Sequence, residues 1–66
     1  MKVWEARKDE WVYRIEEDLS DIGFYLRGYQ SGVDIFDYLQ DTAEICMRFG
    51  NEQFGIPLDS WKLVED

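Results

Sequence analysis

A chain of 66 residues with a single cysteine and no histidine has no internal disulfide and no ordinary zinc site to hold it together. It must fold on its apolar core alone, near the lower size at which a core suffices. The composition supplies the means. Apolar residues make up 45% of the chain, and three Trp, four Tyr and four Phe offer large areas to bury. That is too rich for a disordered chain, so a single folded domain over residues 1–66 is expected.

The same two counts narrow the chemistry. Without His, a Ser or Cys nucleophile lacks its usual base. Cys46 falls on an apolar stripe, where a thiol is most often an inert small hydrophobe. No glycine-rich phosphate loop appears, because Gly28-Tyr29-Gln30-Ser31-Gly32 matches neither the P-loop nor the dinucleotide pattern. Asp34, Asp37, Asp41 and Glu44 would share a helix face, but they lack the glycine turn of a calcium loop. A solvated acidic face, with Arg48 four residues after Glu44, accounts for them. The expectation is therefore a non-enzymatic protein with no cofactor and no metal. The sequence has no apolar run of membrane-spanning length and no signal-peptide core, and a reducing compartment fits the lone Cys46. A cytoplasmic, soluble protein is expected by elimination.

For the fold, alternation predicts strands at Lys2–Arg7 and Trp11–Glu17 around a polar turn at Lys8-Asp9-Glu10. A third strand is predicted at about Gly23–Tyr29, after a loop at Asp18–Asp21. Along the second strand Trp11, Tyr13 and Ile15 point one way, and Val12, Arg14 and Glu16 the other. A competing helical stripe runs through Val12, Ile15, Leu19, Ile22 and Leu26 and would make the chain an all-α bundle. Gly23 and the aromatic run beside it argue against that reading. Ser31-Gly32 marks a turn. Phe36, Leu39, Ala43, Cys46 and Met47 form an apolar face, predicting a helix from about 36 to 49. Asp34 or Asp37 would be its N-cap, Asp37-x-x-Gln40 would approximate a capping box, and Gly50 or Gly55 would stop it. Ile56-Pro57 reads as an extended connector, Asp59–Trp61 as a turn and Trp61–Val64 as a short last strand. The fold class is α+β: a three-stranded antiparallel meander packed on one helix, with a short C-terminal strand or extended segment.

Phe36-Asp37, Ala43, Phe54-Gly55-Ile56-Pro57 and Trp61 together resemble the tail of short uncharacterised bacterial proteins. In those, a strand meander precedes a helix and a closing FGIP…W segment. The resemblance covers about 30 residues and implies strands first and helix second. It implies no activity. Gly50 and Met47 depart from the more charged pattern of that helix's last turns.

Charge points to partners. The net charge is −8, and it is uneven: residues 1–29 carry seven acids and five bases, residues 30–66 eight acids and two bases. Such a charge repels nucleic acid and anionic membranes and steers toward a basic partner. On the predicted helix, Tyr38, Thr42, Ile45 and Phe49 form a second apolar row, well round from the core face. Either the segment holding Phe54, Ile56, Leu58 and Trp61 folds over that row, or the row is a contact patch. The leading expectation is a protein-interaction or regulatory module that meets its partner through Tyr38, Ile45 and Phe49 and the adjoining Asp37, Asp41 and Glu44. That partner would be a protein with a basic, partly apolar surface, or a second copy of the chain. One alternative is a nucleic-acid-mimicking inhibitor or immunity-type protein that offers carboxylates to a basic enzyme. Another uses the sheet's second face, where Arg7, Arg14 and Arg27 lie among Tyr25 and Tyr29, as an anionic-ligand or single-strand platform.

Overall fold

The computed structural model describes residues 1–19 and 21–66. The expected loop at Asp18–Asp21 lies partly outside these described residues. The elements are β1 (Val3–Lys8), β2 (Trp11–Glu17), β3 (Phe24–Gln30), β4 (Val33–Gln40), helix α1 (Ala43–Phe54), a 3-10 turn at Leu58–Ser60, and β5 (Lys62–Glu65). The strands form one antiparallel sheet in the order β4-β3-β2-β1-β5. The fold is thus α+β, with five strands where three and a tail were expected. The all-α alternative fails because Val12 and Ile15, which it places on one stripe, fall on opposite faces of β2.

Tight turns build the meander. Asp9-Glu10 links β1 to β2 with Asp9 at φ 55°, and Ser31-Gly32 links β3 to β4 with φ of 53° and 78°. Positive φ at both central residues is the turn that matches the twist of a hairpin, and glycine takes the second position without strain.

One face of the sheet carries Trp4 and Ala6, then Trp11, Tyr13 and Ile15, then Phe24 and Leu26, then Phe36 and Tyr38. Helix α1 and Ile56 cover it. Ile15, Leu26, Cys46 and Ile56 are wholly buried, and Ala6, Ala43 and Tyr13 nearly so. Between them the aromatics form a chain of contacts. Phe36 stacks on Phe54 at 4.7 Å between centroids, and Trp11 stacks on Tyr13 at 5.7 Å. Gly28 makes the Phe36 contact possible, because a Cβ there would lie 2.3 Å from the Phe36 ring.

The helix begins seven residues later than expected. Its N-cap is Thr42, whose hydroxyl accepts from the Ile45 N–H at 3.1 Å, rather than Asp34 or Asp37. Residues 36–40, assigned above to the helix, belong to β4, so Asp37-x-x-Gln40 is no capping box. The stop is Gly55, at φ 69°, whose N–H reaches the Asn51 carbonyl at 3.1 Å. Gly50 is instead a helix-interior residue against which Ile56 and Trp61 pack. The Asn51 side chain donates to the Ile56 carbonyl at 3.0 Å and ties the connector to the helix. From there the chain crosses to the far side of the sheet, where β5 pairs with β1.

Candidate functional site

The residues singled out as a helical contact strip are distributed over two elements. Tyr38 lies on β4, pointing to the helix side, while Ile45 and Phe49 lie on α1. They still meet, because the Tyr38 and Phe49 rings are 5.0 Å apart. Ile45 and Phe49 are half-buried and, with Gln40, Arg48 and Glu52, line a shallow groove of about 180 Å³ between α1 and the end of β4. Of the segment expected to fold over them, Phe54 packs against Tyr38 at 6.4 Å between ring centres and against Phe49. Ile56 and Trp61 pack instead beside Ala6 and Tyr13, toward the other side of the sheet. Phe49 also belongs to the core, against Phe54 at 6.0 Å.

The acidic residues divide in the same way. Asp34 and Asp37 lie on β4, on the face away from the helix; Asp41 is in the bend before α1; Glu44 is exposed in the first helical turn. They are not one helix face. What joins Tyr38 to Asp37 is the strand edge: consecutive residues of β4 point to opposite faces, and both border the same open side of the sheet.

β4 has β3 on one side and, among the described residues, no strand on the other. Its eight residues include none that is buried. Val33, Ile35, Tyr38 and Leu39 are exposed by 59, 52, 42 and 50%. The register slips between Gly28 and Tyr29, which leaves Ile35 without a partner on β3, a β-bulge.

The face away from the helix holds all five residues of the expected ligand platform: Arg7, Arg14, Arg27, Tyr25 and Tyr29. Their charges are mostly engaged. Arg27 Nε donates to Glu16 at 2.9 Å, and one Nη donates to both Asp34 and Asp37 at 3.3 Å. Its guanidinium also lies 5.1 Å from the Tyr25 ring centre. Burial pulls the Arg27 pKa down, but the hydrogen bond and charge of Glu16, with Tyr29 and Asp34, outweigh it and push it up. Burial raises the Tyr29 hydroxyl, with Glu16 and Asp34 adding to the effect. Arg14 lies 3.7 Å from Glu16. Only Arg7 reaches outward, with its side chain 73% exposed and held by Glu5 at 3.3 Å. It borders an open depression of about 450 Å³ with Glu5, Ala6, Ser60, Lys62 and Val64, where β1 meets β5.

Cys46 is fully buried and gives its thiol to the Phe24 carbonyl at 3.6 Å. Burial pushes its pKa up to about 11, the opposite of what a nucleophilic thiol needs. Among the described residues no three potential metal ligands gather, and no helix is long and apolar enough to cross a membrane. No protein family, curated protein or solved structure matches the chain.

The β4 edge was missed at the sequence level, although Ser31-Gly32 between apolar runs is itself a hairpin signal. Reading the pair as a two-residue hairpin loop would have extended the meander by one strand.

Proposed function

We propose that this protein is a non-catalytic protein-interaction module whose contact surface is the open flank formed by β4 and the adjoining side of α1. The observation that carries this reading is the long uncovered strand: eight residues, none buried, four of them large exposed hydrophobics. Soluble proteins usually blunt such an edge with short strands, lysines, proline or a covering loop. β4 has no lysine and no proline, no strand among the described residues covers its edge, and only its bulge and its aspartates interrupt it. Tyr38, Ile45 and Phe49 supply apolar contact, and Asp37, Asp41 and Glu44 border it with negative charge. A protein with a basic, partly apolar surface is the partner this chemistry suits.

Affinity capture with the intact protein tests this. Partners held by the native chain should be lost by Val33→Glu with Ile35→Glu on β4 and kept by Leu63→Glu on β5, with all proteins equally folded by circular dichroism. Partners indifferent to the β4 changes would place the contact surface elsewhere.

A further inference from the structure

Building on the interaction reading above, we infer that the partner presents an extended segment of alternating apolar and basic residues, which adds to β4 as a further strand of the sheet. Three features of the edge carry this.

The first is the backbone. An edge strand turns the N–H and C=O groups of alternate residues outward. Beyond its ladder with β3, the β4 backbone enters none of the described hydrogen bonds. An added strand would satisfy these groups, as in other cases of strand addition.

The second is the difference between the two sides of β4. Side chains of an added strand lie level with the two faces of its neighbour. On the helix side they would meet Phe36, Tyr38 and the groove lined by Ile45 and Phe49. On the other side they would meet Asp37 and Leu39, with Asp34 just beyond the bulge. The carboxylates of Asp34 and Asp37 share one nitrogen of a guanidinium already bonded to Glu16, and their side chains remain 44% and 57% exposed. Apolar residues therefore suit alternate positions facing one way, and Lys or Arg those facing the other. The bulge at Ile35 interrupts the regular ladder, so the added strand pairs best along Phe36–Gln40.

The third is the charge of the occupant. A second copy would bring its own −8 and the same aspartates to the shared edge, where like charges facing each other destabilise pairing. A basic segment of another protein has the complementary sign.

The test is a random octapeptide display library selected against the intact protein. Selected sequences should be free of proline, with Lys or Arg alternating with apolar residues. The best of them, synthesised, should slow amide hydrogen exchange along Phe36–Gln40. N-methylation of its alternate peptide bonds should weaken it roughly tenfold or more, because each methyl removes a backbone donor. Acidic or proline-rich selections would overturn the inference, as would affinity unchanged by N-methylation. So would a β4-paired dimer in sedimentation that excludes the peptide. A helical peptide seated on Ile45 and Phe49 would overturn strand addition yet leave the interaction surface standing. Binders that protect β1 or β5, or no binders at all, would remove both.

Discussion

The two edge strands of this sheet manage the same physical problem in different ways. β5 has four residues, opens with Lys62, ends in Glu65 and shifts register where it leaves Trp4 for Val3. It is short, charged at both ends and irregular, which leaves little regular edge for another chain. β4 is twice as long, apolar at Val33, Ile35, Tyr38 and Leu39, and anchored from behind. The anchor is specific. Phe36 lies over Gly28 on one side, and Arg27 grips Asp34 and Asp37 on the other. A strand held this firmly at its inner side keeps its outer side in a fixed geometry. The difference suggests that the β4 edge is maintained while the β5 edge is closed.

The strongest way to break this contrast is to detach β4. Gly28→Val would drive a side chain into the Phe36 ring and should cost about 3 kcal/mol, read from the denaturant midpoint. A loss below about 1 kcal/mol would mean that the Gly28–Phe36 contact does not anchor the strand. Next comes Arg27→Ala, which leaves Glu16, Asp34 and Asp37 facing one another. A loss on the order of 1–2 kcal/mol is expected, smaller at high salt because the freed carboxylates are screened. Thermal melts at two ionic strengths would report it, and an effect independent of salt would point to lost packing over Tyr25 instead. Smaller still, Val33→Lys with Ile35→Lys should change stability by no more than about 0.5 kcal/mol, as should Leu63→Lys with Val64→Lys on β5. Only the β4 pair should weaken capture of partner proteins by the intact chain. Equal behaviour of the two pairs would erase the distinction between the edges.

Cys46 gives a control remote from both. Its pKa rises from 9.0 to about 11 on burial, so the folded state disfavours the thiolate. The corresponding stability is fully present below pH 9 and is lost as pH rises toward 11. At pH 8 the thiol should resist alkylation in the native protein and react once denaturant unfolds it. Fast native-state labelling would contradict its place under β3. Neither edge variant should change this rate.

The first half of the fold was legible because its alternation is unbroken: β2 was placed at its observed bounds, and β1 and β3 lie within a residue of expectation. β4 was not, and the bulge is the reason. Val33 and Ile35 alternate, but the extra residue restarts the pattern at Phe36 and Tyr38. Phe36, Leu39 and Ala43 then fall three and four apart, the spacing of a helix, although Phe36 and Leu39 point to opposite faces of the strand. The error carried into the candidate site. Asp37 and Tyr38 were assigned to a helix they do not belong to, while Ile45, Phe49 and Glu44 kept theirs. The arginine face was legible from alternation alone. That Arg27 would be engaged by three carboxylates depended on the partner across from it, Asp37 on β4, which the missed strand concealed.

The position of β5 has a consequence for how the chain assembles. Each of the first four strands pairs with its neighbour in sequence across a short loop, so those ladders can form early and quickly. β5 alone pairs residues 62–65 with residues 3–5, so its ladder closes the longest loop in the sheet and carries the largest loop-closure cost. Until that last ladder closes, a folding molecule has two open margins rather than one, and β1 is as available for pairing as β4. The short strand that contributes least to the core thus sets the interval during which folding molecules can stick to one another at the wrong side. Changes that slow its arrival, such as at Pro57 or Trp61, should show first as misassembly during refolding rather than as lost stability.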